Sequence, residues 1–191
     1  MNILKMSKKE ILALSYNEFS QCVESLSSEE IIDLSKVIGY PVFTRKCMGN
    51  LMHKFVLLQD GAAAVIVNEK GEILLQRRAD RDDWGFPGGC QEIGERFEDV
   101  VIREVKEETN LDILEEDLKF VKVVSGMGRM NSYPNGDVVV NNTVFYCVDK
   151  YTGELKWNYE SKDMKFFSLD NLPDNLHDPD LVEIYREWIS K

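Results

Sequence analysis

Three carboxylates set the chemistry that this chain can do. Glu104, Glu107 and Glu108 stand at i, i+3 and i+4, so on a helix they share one face. Like charges held together repel, and a fold that gathers three of them usually has a cation there. Hard oxygen donors suit Mg²⁺ or Mn²⁺, and those ions commonly serve phosphate chemistry. The expected activity is metal-dependent and acts on a phosphorylated small molecule.

The neighbouring residues suit that role. Val100, Val101 and Val105, with Phe97 one turn earlier, make an apolar stripe that buries the helix and leaves the glutamates on another face. Arg103 lies four residues before Glu107 and has the planar fork that orients carboxylates. Asn110 follows the last turn, and Asn tolerates the left-handed conformation that ends helices. Pro87-Gly88-Gly89 gives an unhindered backbone that can approach a ligand. A Glu-rich helix is also what a solvated face with i,i+4 pairs looks like. The fixed Gly-Glu-Arg-Glu-Glu-Glu spacing after a Gly-Gly turn decides for the functional reading.

That spacing resembles the Nudix box, G-x5-E-x7-R-E-U-x-E-E-x-G-U with U aliphatic. It is met by Gly89, Glu95, Arg103-Glu104-Val105, Glu107-Glu108 and Leu111. Asn110 stands where the family has Gly. The resemblance implies an α/β fold, an α/β/α sandwich with a mixed sheet, with the box as loop–helix–loop. It implies a hydrolase of nucleoside diphosphates linked to another moiety. Carried over residue by residue, Glu104, Glu107 and Glu108 are metal ligands, the Gly89 carbonyl can complete the coordination, and Glu95 and Arg103 hold the loop–helix–loop in shape. The proton acceptor is Glu107 or Glu104 within the box, or Glu160 outside it.

Composition bounds the partners. The chain has 191 residues, net charge −11 and 43% hydrophobic residues, enough for one domain and a small extension. The acidity argues against a nucleic-acid surface and against anionic membranes. No apolar run is long enough for a transmembrane helix, and no secretory leader is recognisable. Cys22, Cys47, Cys90 and Cys147 form no CxxC; free thiols and a cytoplasmic location are expected. His53 and His177 are too far apart in sequence for a histidine metal site and read as structural.

The elements that must position the site follow from patterning. Residues 1–50 read as a helical extension: Lys8 to Leu14, Tyr16 to Leu26, and Ile31 to Ile38 behind a Ser27–Glu30 capping box, stopping at Gly39 with Pro41 beyond. This extension packs on the core, covers the active-site mouth or makes a homodimer contact. Residues 51–191 read as the hydrolase domain. Ala62 to Val67 and Ile73 to Gln76 read as a hairpin. Leu118 to Ser125, Val138 to Val148 and Met164 to Phe167 read as strands, and Leu181 to Ile189 as a closing helix. Arg77, Arg78 and Arg81 precede the box and read equally as solvated loop charge; the resemblance places this strand end beside the site, which makes Arg78 the phosphate-binding candidate. Tyr133, in a Tyr-Pro-Asn-Gly-Asp loop, is the candidate for stacking on a base or sugar, although such a loop is also an ordinary turn.

Three functions stay open on sequence. The first is a pyrophosphohydrolase for a nucleotide sugar, ADP-ribose or CDP-alcohol. The second is a nucleoside triphosphate pyrophosphatase that cleans the nucleotide pool. The third is a non-catalytic sensor of a nucleotide metabolite.

Overall fold

The structure is a computed structural model and describes residues 2–49, 56–132 and 136–190. Its centre is strand β1 (Val56–Ile66), which runs parallel to β7 (Val138–Val148) over their full length. The short strand β4 (Gly88–Cys90) pairs antiparallel with β1 on its other side, and β5 (Lys119–Val124) pairs antiparallel with β7. The order β4-β1-β7-β5, with β6 (Met130–Ser132) also on β7, makes a mixed sheet. A second, antiparallel sheet has the order β3-β2-β8, from Trp84–Gly85, Ile73–Arg78 and Ser161–Phe167.

Alternation along the strands builds two cores. Ala62, Ala64 and Ile66 of β1, with Val144, Tyr146 and Val148 of β7, face helix α5 (Phe97–Thr109) and its Val100, Val101 and Val105. The intervening Ala63, Val65, Phe145 and Cys147 face helix α6 (Pro179–Ile189) through Leu181, Val182 and Tyr185. Strands buried on both faces read as continuous apolar runs, which is why Ala62 to Val67 shows no alternation of polarity. Each fully buried Val of α5 contributes about 1.5–3 kcal/mol. A charge at Val101 would therefore detach the helix that carries the glutamates.

The expected hairpin is not formed. Strands β1 and β2 flank a tight turn closed by Asn68 N–H to Glu72 O at 3.0 Å, and a single bridge, Val67 to Ile73, joins their ends. Both edges of β1 are already taken, by β4 and β7, so β2 is diverted into the second sheet, where it pairs with β8.

The N-terminal residues are helical, as expected, and have their own apolar cluster: Ile3, Ile11, Phe19, Leu34, Ile38 and Phe43. Ser7, Ser15 and Ser27 each open a helix with a complete capping box, closed by Glu10, Glu18 and Glu30. These helices are α1 (Lys8–Ala13), α2 (Tyr16–Val23) and α3 (Ser28–Ile38). One helix was missed. Gly39 ends α3 but also starts α4 (Tyr40–Met48), with Pro41 in its first turn. Proline there gives up an N–H that the helix does not use, and its fixed φ suits helix entry. The expected boundary at residues 50 and 51, and His53, lie outside the described residues. Among those described, no helix is long and apolar enough to cross a membrane.

Candidate active site

Helix α5 begins behind Arg96, whose backbone and side chain bind Asp99, and ends at Asn110 with φ 62°. The left-handed residue is the expected one, and its Nδ2 also donates to Glu154 O at 2.9 Å. Between these ends Arg103 is the hub. Its Nε donates to Glu95 Oε1 at 2.7 Å and its Nη2 to Glu95 Oε2 at 2.9 Å. The same Nη2 reaches Cys90 O at 3.0 Å, and Nη1 donates to Glu104 Oε1 at 2.6 Å. One guanidinium thus ties together the loop before the helix, the short strand β4 and a helix carboxylate. The Arg103 bond holds Glu95 below the ordinary carboxylate range.

The three helix glutamates occupy different environments. Glu107 is 58% exposed and stands 3.7 Å from Arg103 Nη1. Glu104 is largely buried; burial raises its pKa while Arg103 opposes that shift. Glu108 is 4% exposed. It accepts from Gly88 N–H at 2.8 Å and from Gln76 Nε2 at 3.1 and 3.0 Å. Burial still pushes its pKa up to about 8. A Cβ at Gly89 would lie 2.3 Å from Glu104 Oε1, so a side chain there would have to displace that carboxylate.

Among the described residues, no three acidic, thiol or imidazole side chains are gathered closely enough to hold an ion. The reason is visible in their partners. Glu104 turns to Arg103, Glu108 to Gln76 and Gly88, and Glu107 to solvent. In donor type and burial the set nevertheless fits a hard divalent cation. Two neighbouring carboxylates are raised by desolvation, and the missing Cβ of Gly89 leaves backbone beside Glu104.

All three glutamates and Arg103 line a cleft of about 420 Å³. The cleft also takes in Arg78 and Glu160, so the structure brings these two expected residues to the site. Arg78 forks onto Asp80 at 3.0 and 2.9 Å. Tyr133 lies outside the described residues. Trp84 is buried and packs edge-on against Phe167. Burial, with Glu104 beside it, pushes the Cys90 thiol up to about 12, which disfavours the thiolate.

Several residues of the cleft were not found from sequence. His177, expected to be structural, lines it, with Nδ1 2.8 Å from Asp83 Oδ2. Arg129, 12% exposed, forks onto Asp178 with Nη1 at 2.5 Å and Nη2 at 3.1 Å. These pairs span the distance between a loop and the entry to α6, and no spacing signals them. Gln76, which lies behind the cleft and bonds Glu108, had a signal: a polar residue ending the apolar run Ile73-Leu74-Leu75, on the same strand face as Leu74, which packs against α5.

Comparison with known proteins agrees with this geometry. The family model described as NUDIX domain matches residues 57–189. An ADP-ribose pyrophosphatase of Methanocaldococcus jannaschii is 34% identical over 146 residues, which is 72% of this chain and 80% of that protein. A putative 8-oxo-dGTP diphosphatase of Bacillus subtilis is 43% identical over 49 residues, 26% of this chain and 33% of its own length. The crystal structure of a MutT NUDIX hydrolase from Burkholderia pseudomallei superposes with a TM-score of 0.54 at 27% identity, covering 65% of this chain and 95% of that one.

Proposed function

The chain belongs to the Nudix hydrolase family, and from that membership we propose that it hydrolyses the pyrophosphate bond of a nucleoside diphosphate derivative of the ADP-ribose type. The observation that carries the reading is the Arg103 hub, which ties Glu95 to Glu104 beside the buried Glu108 on the wall of a polar cleft. The substrate class is supported by the pyrophosphatase that matches 72% of the chain.

In this reading Glu104, Glu107 and Glu108, with the Gly89 carbonyl, hold Mg²⁺ or Mn²⁺. When bound, such an ion lowers the pKa of water and offsets charge growing on the pyrophosphate. The chain's own residues do the rest. Arg103 and Glu95 fix the loop–helix–loop, and Arg78 meets a phosphate oxygen, exchanging Asp80 for it. Tyr133 stays a candidate for base contact on sequence grounds. Water attacks one phosphorus, the bridging P–O bond breaks, and the other phosphate leaves with its substituent. The water's proton passes to Glu107 or Glu104. Glu160 is the alternative acceptor; it faces the same cleft, and its charge adds to the shifts of Glu104 and Glu108. Four free cysteines without a disulfide support a cytoplasmic setting.

A second reading, a nucleoside triphosphate pyrophosphatase, is favoured by the shorter match to the putative 8-oxo-dGTP diphosphatase. Products separate the two: two monophosphates in the first case, a monophosphate and inorganic pyrophosphate in the second. The test is a panel of ADP-ribose, nucleotide sugars, CDP-alcohols and nucleoside triphosphates with Mg²⁺ and Mn²⁺, with Glu107→Gln as control. ADP-ribose cleaved to AMP and ribose 5-phosphate, and lost in the variant, is the expected result. Turnover confined to triphosphates would reject the substrate class. Ligand binding without turnover by the unaltered protein would favour a sensor.

A further inference from the structure

Gln76 is 1% exposed, at the end of the apolar run Ile73-Leu74-Leu75 of β2. A primary amide placed there costs free energy unless both of its ends are bonded. They are bonded to two different elements. Nε2 faces both oxygens of Glu108 on α5 at 3.1 and 3.0 Å, and Oε1 accepts from Ser161 Oγ of β8 at 2.6 Å. Ser161 is itself 7% exposed and sits opposite Arg78 in the β2–β8 ladder. The amide presents nitrogen to both Glu108 oxygens, the arrangement suited to a carboxylate that accepts from the protein while it ligates a cation. The Ser161 hydroxyl, donating to Oε1, anchors the far end of the amide. Turning the amide over would set oxygen against the carboxylate, while the hydroxyl of Ser161 could bond either end.

We propose that Gln76, anchored by Ser161, is a positioning residue for Glu108 that fixes the carboxylate before a divalent ion arrives. This rests on the reading of Glu108 as a metal ligand. Glu104 has a charged guanidinium on it and Glu107 is loosely held, so Glu108 is the one box glutamate fixed by neutral donors. Those donors are the Gly88 N–H and the Gln76 amide, on a carboxylate with about four acceptor positions. That leaves capacity for a cation without a competing positive charge. Partners of this kind, which touch the ligand and not the metal, typically change metal affinity by about 10- to 100-fold when removed.

The test compares the unaltered chain with Gln76→Met, Ser161→Ala and Ser161→Thr. Mn²⁺ binding is read by electron paramagnetic resonance of the free ion, without substrate, and thermal unfolding is read in EDTA. Gln76→Met keeps the length and removes both ends of the amide. It is expected to weaken Mn²⁺ binding by about tenfold or more. Ser161→Ala should weaken it less, and Ser161→Thr, which keeps the hydroxyl, should restore it. The Mn²⁺ concentration for half-maximal rate should rise in the same order while kcat at saturating Mn²⁺ stays near that of the unaltered chain. A purely structural role would lower the unfolding temperature and leave Mn²⁺ affinity alone; that result overturns the proposal. Should Gln76→Met fail to fold, wild-type Mn²⁺ affinity in Ser161→Ala overturns it equally. Failure of the underlying reading looks different: the unaltered chain itself binds no Mn²⁺, and the proposal falls with it.

Discussion

Glu92, in the loop between β4 and α5, caps a helix of the N-terminal extension: both of its carboxylate oxygens accept from Tyr40 N–H, at 3.1 and 2.9 Å. Helix α4 has no side-chain cap of its own, and a carboxylate at a helix N-terminus is favourable. The Glu92 N–H in turn donates to Glu95 Oε2 at 2.9 Å, and Glu95 binds Arg103. Hydrogen bonds therefore run without a break from the N-terminal helices to Glu104. Removing the carboxylate in Glu92→Ala should destabilise the first turn of α4 by about 1 kcal/mol and speed amide exchange at Phe43 and Thr44. Unchanged exchange there would show that Glu92 does not hold the helix.

Arg103 makes bonds that no lysine can reproduce, because an ammonium is a single point of charge. Arg103→Lys should lose the simultaneous hold on Glu95, Cys90 O and Glu104. A stability loss of about 2 kcal/mol is expected, below the 3–5 kcal/mol range of fully buried pairs (about that much) because Arg103 is 27% exposed. Urea unfolding measures it. A variant as stable as the parent would mean that the carboxylates find equal partners without the fork.

Asn110 holds a left-handed backbone that glycine would hold without steric cost. Asn110→Gly relieves that cost and loses the bond to Glu154 O, so the two effects should offset to within about 0.5 kcal/mol. Asn110→Ala keeps neither advantage and should lose about 1 kcal/mol or more. The Gly and Ala variants, compared in one denaturation series, should differ in this order. A stable Ala variant would contradict it.

The capping boxes make the N-terminal helices sensitive to acid. Hydrogen bonds from their serines hold Glu10, Glu18 and Glu30 below the ordinary value of 4.5. A carboxylate whose pKa is lower in the folded state adds stability above 4.5, and that stability is lost as pH falls through the folded value. Unfolding between pH 7 and pH 3 should therefore show the helices weakening only below about 4.5. Glu30→Gln should flatten that dependence. Acid loss that begins near pH 6 would point to other groups.

Much of this was legible from the chain, where local rules decide. The helix from Phe97 to Thr109, its left-handed end at Asn110, the Ser27–Glu30 box and the span of β7 all follow from periodicity and capping residues. The Arg103–Glu95 pair was legible only through the family resemblance, because the partners stand eight positions apart, one in the loop and one on the helix. Pairing decided the rest. Whether Ile73–Gln76 returns onto β1 depends on who else claims the edges of β1, and those claimants, β4 and β7, lie further along the chain. Pro41 was ambiguous in principle, since proline both follows helices and opens them. The His177–Asp83 pair and the Gln76–Ser161 bond join side chains across separate loops and strands, where no local spacing leaves a mark.

The parallel alliance of β1 with β7 has a consequence for how the molecule comes to be made. Asp60 and Asn142, which join across it, are 82 residues apart. Closing so long a loop is slow, and non-local strand pairing lowers folding rates. During synthesis, residues 62–67 leave the ribosome as an apolar ribbon well before their partner exists. The N-terminal helices, with an apolar cluster of their own, can assemble in that interval. Release of β7 is then the event that commits the chain, and a stall before it would leave an unpaired, two-faced strand open to aggregation.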